Sequence, residues 1–146
     1  MRLALSTFVY EVGKVPIEKA LQSACEFGFE FIDYAAYHSG DLALMGEAKQ
    51  NEIISMFKAN GLQCSQMLLA NTESIASSDP AKRKETLEYM KKCADFQLEL
   101  GGRQVLVCWG CGVHESGMMQ EQAWVNAVSS IREYAEWSLG WNSHLS

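Results

Sequence analysis

Three times along this chain an apolar run with helical spacing stops at a glycine, and a short β-capable stretch begins at once. Ile17, Leu21, Ala24 and Phe27 are followed by Gly28. Asn60-Gly61 leads into Leu62-Gln63-Cys64-Ser65-Gln66-Met67-Leu68-Leu69, and Leu100-Gly101-Gly102 leads into Gln104-Val105-Leu106-Val107-Cys108-Trp109. A glycine just past a helix accepts the left-handed conformation that ends it. The intervals between these glycines, 33 and 40 residues, each suit one βα unit of about 30 or more residues. Repeated units of this kind predict an α/β fold with a parallel sheet and right-handed crossovers.

The chain in order gives four such units. Arg2 to Phe8 has the character of a first strand, with Ser6 and Thr7 near its C-terminal end. Val9 to Val15 is expected as a loop, and Pro16 opens a helix to Phe27 with Glu18 in its first turn. Phe29 to Ala36 carries only Glu30 and Asp33 as charges and is expected as a buried strand. Ser39 to Lys49 is expected as a loop and Gln50 to Asn60 as a helix. Strand three covers Leu62 to Leu69, and a polar loop runs from Ala70 to Ser78. Asp79-Pro80 marks the start of a helix to about Leu100, with Leu87, Met90, Ala94 and Leu98 on one face. A last helix, Glu121 to Trp137, is expected to pack through the stripe Trp124, Val128, Ile131 and Ala135. A closed (β/α)8 barrel has eight strands and typically about 250 residues, so the prediction is half a barrel whose two edge strands are open to association.

Composition narrows the partners. The net charge is −6, and the basic clusters Lys82-Arg83-Lys84 and Lys91-Lys92 lie on helix surface, which argues against nucleic acid. No apolar run approaches the ~20 residues of a membrane span, and the opening Met-Arg-Leu-Ala-Leu-Ser-Thr lacks the features of a secretion signal. A cytoplasmic location is expected. Five cysteines, an odd number mostly inside apolar runs, suit reduced thiols better than a disulfide framework.

Chemistry in parallel α/β proteins collects at the C-terminal ends of strands, where Tyr37, His38 and Ser39 follow strand two. His38 is a candidate contact to substrate, or a loop histidine bonded to its own backbone. Asp33 sits within a buried strand and must be paired or hydrogen-bonded, as packing anchor, substrate contact or both. Trp109 offers a flat wall for a sugar ring, or simply a core aromatic. Cys108-Trp109-Gly110-Cys111 with His114 supplies three zinc-type ligands, or a redox thiol pair, or simply thiols of the core or a loop. Against this, Cys108 ends a strand rather than starting a helix, and no second ligand pair lies nearby. There is no glycine-rich phosphate loop and no Gly-x-Ser-x-Gly elbow.

The order and wording of these segments resemble the xylose isomerase-like TIM barrels, the sugar phosphate isomerase/epimerase superfamily that also includes endonuclease IV. The resemblance is carried by Leu3-Ala4-Leu5-Ser6-Thr7, by Ala24-Cys25-Glu26-Phe27-Gly28-Phe29-Glu30-Phe31-Ile32-Asp33, by Asn60-Gly61-Leu62-Gln63-Cys64-Ser65, and by Leu100-Gly101-Gly102-Arg103-Gln104-Val105-Leu106-Val107. Gly28 to His38 also looks like the matching segment of ketose 3-epimerases. The resemblance implies a divalent metal and two proton-moving glutamates on strands five to eight, beyond these residues. No metal is therefore expected in this chain alone. In the endonuclease branch strand four ends in a metal-binding His, where this chain has Cys108-Trp109-Gly110.

The expectation is thus the N-terminal half of a sugar isomerase/epimerase-like barrel over residues 1–137 with an atypical tail over 138–146, a truncated product or a natural half barrel, inactive by itself. Ser6, Asp33, His38 and Trp109 are its expected contributions to a pocket for a small sugar or polyol. Its expected partner is a complementary half or a second copy, joined through the open sheet edges. Two further readings stay open: a small metal or thiol module acting through Cys108, Cys111 and His114, and a non-catalytic half barrel that self-associates.

Overall fold

A computed structural model describes residues 3–108 and 120–142, with side chains through residue 139. Four strands, β1 (Ala4–Ser6), β2 (Phe31–Ala36), β3 (Gln63–Leu69) and β4 (Val105–Val107), form one parallel sheet in the order β1-β2-β3-β4. The helices are α1 (Phe8–Val12), α2 (Ile17–Glu26), α3 (Glu47–Asn60), α4 (Pro80–Glu99) and α5 (Gln120–Asn142), with 3-10 turns at His38–Gly40 and Glu73–Ala76. The α/β class and the four βα units are as the glycine pattern predicts. Gly28, Gly61 and Gly101 have φ of +74°, +66° and +78°, the left-handed values that stop a helix. Among the described residues no helix is long and apolar enough to cross a membrane.

The chain divides into two compact units. The first comprises Met1–Asn71 and Lys92–Val107 and holds the sheet. Its core lies between sheet and helices. The Tyr34 ring meets Phe57 of α3 at 6.4 Å and Phe96 of α4 at 5.8 Å, the latter edge-on, so Ile32, Tyr34 and Ala36 face the helices. Alternation along a strand then turns Asp33 and Ala35 to the opposite face. Ile17, Leu21, Ile53, Met67 and Leu69 complete the buried layer.

Two expectations change in this unit. The segment expected as a loop over Val9 to Val15 holds most of α1, which starts at Phe8, because Tyr10 and Glu11 donate their amides to the Thr7 carbonyl at 3.0 and 3.1 Å and Glu11 is buried. In β3, pairing passes from Ile32↔Cys64 to Asp33↔Gln66, leaving Ser65 as an extra residue whose hydroxyl donates to the Ile32 carbonyl at 3.0 Å. Such a bulge reverses which side chains face which way. Cys64, Met67 and Leu69 thereby all join the core.

The second unit, Thr72–Lys91 and Cys108–Ser146, corrects a further expectation. The stripe predicted to pack α5 is exposed: Trp124 by 58%, Val128 by 38% and Ile131 by 36%. It lines an apolar groove of about 510 Å³ together with Ala127, Arg132 and Ala135. The buried face is Ala123, Ala127 and Ser130. The reason is the neighbour that this face meets, the carbonyl-rich 3-10 turn. Ser130 donates to the Ile75 carbonyl at 2.8 Å, and the Asn126 amide to those of Ala76 and Ser77 at 3.2 and 3.0 Å. Small residues and donors suit that surface better than large apolar ones. The helix also runs to Asn142, past the point where its apolar periodicity fades.

Candidate functional site

The site is built at the C-terminal ends of β1, β2 and β3, all within the first unit. Ser6, the last residue of β1, is the register partner of Asp33, and Asp33 is in turn the partner of Gln66. Register partners on neighbouring parallel strands share a face, so the three polar side chains form one row on the side away from the helices. Asp33 Oδ1 is buried and has no hydrogen-bond partner among the described residues. The expectation that Asp33 is a bonded packing anchor is therefore not met by this oxygen.

Above this row, at the end of β2, the chain turns sharply. Tyr37 is extended, and His38 has a φ of +43°, which costs a non-glycine residue about 1–2 kcal/mol. The His38 ring lies against Tyr37, centroids 3.9 Å apart, and Tyr37 against Phe8 at 5.8 Å. The turn is held from beneath by Glu11. One carboxylate oxygen accepts the Ser39 amide and the other the Ser39 hydroxyl, both at 2.9 Å, while that hydroxyl accepts the Ile17 amide at the start of α2 at 3.0 Å. Hydrogen bonds to a charged group contribute about 1.5–3 kcal/mol each, enough for the pair to offset the strain at His38. Burial raises the Glu11 pKa above its usual value, against the opposing pull of the Ser39 and Gly40 donors and nearby His38.

Gly40 completes the turn. A Cβ there would stand 2.5 Å from the Ala35 carbonyl oxygen and 3.1 Å from Glu11 Oε1, so only glycine fits. Its own carbonyl accepts the Tyr34 hydroxyl at 3.2 Å, and burial holds that phenol well above its usual pKa. Asp41 accepts the Ala43 amide at 2.9 Å and the Asn71 side-chain amide at 2.6 Å, tying the end of β3 to the same turn.

Of the residues singled out from sequence, Ser6 and Asp33 are brought side by side, and His38 lies at the next turn of the same strand end. Trp109, Cys111 and His114 lie outside the described residues. Cys108 is described, and its carbonyl accepts the Thr72 hydroxyl at 3.1 Å. Among the described residues no three His, Cys, Asp or Glu side chains come together to hold a metal ion. These residues therefore do not themselves make the metal site that the family resemblance implies. Glu11 and Gln66 escape sequence reasoning. The only signal for Glu11 is a lone carboxylate in an apolar stretch, and for Gln66 the three-residue spacing of Cys64 and Met67.

A family model described as xylose isomerase-like TIM barrel matches residues 21–138. The chain belongs to this family. No curated protein matches this xylose isomerase-like chain, but solved structures share its fold. It is similar to D-psicose 3-epimerase from Clostridium cellulolyticum H10, at 17% identity and a TM-score of 0.64 over 82% of this chain and 42% of that one. It is similar to the probable 3-DHS dehydratase AsbF from Bacillus anthracis, at 19% identity and 0.68 over 97% and 50%. A D-allulose 3-epimerase from Methylomonas sp. aligns at 19% identity and 0.60 over 84% and 41%. The xylose isomerase-like chain spans half or less of each of these structures.

Proposed function

We propose that this chain supplies the first half of a sugar isomerase/epimerase barrel and binds a ketose or similar polyol across the C-terminal ends of its strands. The observation that carries this reading is the buried, unpartnered Oδ1 of Asp33 beside Ser6 on the face away from the helices. An unsatisfied buried acceptor costs about 1–3 kcal/mol, and a substrate hydroxyl would remove that cost. Asp33 accepts the hydroxyl, Ser6 donates or accepts beside it, and His38 meets the substrate from the rim. A divalent metal and the proton-moving carboxylates come from a complementary half, which pairs with the edge strands β1 and β4, and the chain alone does not turn over. The assembled protein works in the cytoplasm.

The test is a titration of the full chain with D-fructose, followed by backbone amide resonances. Shifts confined to Ser6, Asp33 and the turn at His38 are expected, and their loss in Asp33→Ala. Shifts scattered over the surface, or none, would sink the reading. The dehydratase, aligned over 97% of this chain, favours a second reading as a dehydratase half; the same resonances responding to 3-DHS and not to D-fructose would decide for it.

A further inference from the structure

We infer that Glu11 is the positioning residue of this site: through Ser39 it holds His38 in its left-handed conformation with its ring against Tyr37. The inference rests on the proposed role of His38 and adds how that role is maintained. Glu11 is buried, and each carboxylate oxygen takes one donor from Ser39, the residue directly after the strained one. The Ser39 hydroxyl relays the restraint to the first amide of α2 through Ile17. From the other side, the Tyr34 hydroxyl holds the Gly40 carbonyl. The two residues that follow His38 are thus both held, and the strain is left on His38. Among the described non-glycine residues only Lys14, with a φ of +56°, shares that conformation. A buried carboxylate whose donors all come from a rim turn is spent on that turn's conformation and is not itself exposed to substrate.

The test is made on the full chain by NMR of the histidine imidazoles, with His38 assigned from the resonances missing in His38→Gln. With the two ring centroids 3.9 Å apart, the ring current of Tyr37 is expected to displace the His38 ring protons. In Glu11→Ala that displacement is expected to be lost, and D-fructose affinity to fall about tenfold, roughly one hydrogen bond's worth of free energy. Glu11→Gln retains an acceptor oxygen and is expected to restore both. His38 resonances unmoved in Glu11→Ala, with the Ile53 and Met67 methyls at native positions, would overturn the inference. Should Glu11→Ala unfold, as those methyls report, Ser39→Ala decides: a displaced His38 ring supports the clamp and an unmoved one overturns it. If the ring moves as expected while D-fructose shifts nothing in any variant, the clamp stands and the proposed sugar binding fails.

Discussion

Asp33 on β2 is the register partner of Ser6 on β1, and its Oδ1 is buried without a hydrogen-bond partner among the described residues. Natural sequences break the rule of polar satisfaction mainly at functional sites, where a ligand supplies what the free protein lacks.

Asp33→Ala therefore removes an unmet acceptor rather than a stabilising contact. Urea unfolding is expected to stay within about 0.5 kcal/mol of the parent chain or to become harder, while the stabilisation conferred by D-fructose disappears. A loss above roughly 2 kcal/mol would mean that the carboxylate is paired in the folded chain.

Gly40→Ala places a methyl 2.5 Å from a backbone oxygen that has no rotamer with which to yield. The expected cost is about 1–3 kcal/mol in urea unfolding, the usual range for overpacking. Gly61→Ala meets no atom within 4 Å but keeps a φ of +66°, so its cost, about 1 kcal/mol, comes from backbone strain alone. Equal costs would contradict the close approach at Gly40.

Glu11 gives the chain a predictable pH response. Because its folded pKa lies above its usual 4.5, the folded state binds its proton more tightly than the unfolded state does. Its contribution is fully present below pH 4.5 and is lost as pH rises through the raised folded value. Relative to Glu11→Gln, which does not titrate, the parent chain should lose stability across that window. Parallel urea midpoints for the two proteins at every pH would contradict the direction.

Cys64 is buried, and burial, opposed by the Gln97 amide, pushes its thiol pKa up to about 12. Cys93 is fully buried, whereas Cys25 is exposed. At mildly alkaline pH an alkylating reagent should modify Cys25 in the folded chain and reach Cys64 and Cys93 only after urea is added. Peptide mass mapping reads this directly; prompt labelling of Cys64 would contradict its placement in the core.

Much of the fold was legible because its signals are local. The glycines at 28, 61 and 101 all take the left-handed conformation that their position after a helix requires. Asp79 caps α4 by accepting the Ala81 amide at 2.8 Å. The face of α4 read from spacing is correct for Leu87, Met90 and Ala94, which are buried. The packing face of α5 was not legible, because the hydrophobic stripe marks what a helix could bury and not what stands opposite it. The site was half legible: Asp33 and His38 announce themselves by residue type and position after a helix stop, but Glu11 and Gln66 do not.

By itself the sequence determined the serial βα order, the helix stops and the strand end where polar groups gather. Each depends on the conformational preferences of a few adjacent residues. Only the tertiary structure decided that Glu11 is buried beneath Ser39, 28 residues away, and that Ser65 bulges against Ile32, 33 residues away, turning Gln66 beside Asp33. Those outcomes depend on which distant donors and acceptors the folded sheet brings together, and no local preference encodes that pairing.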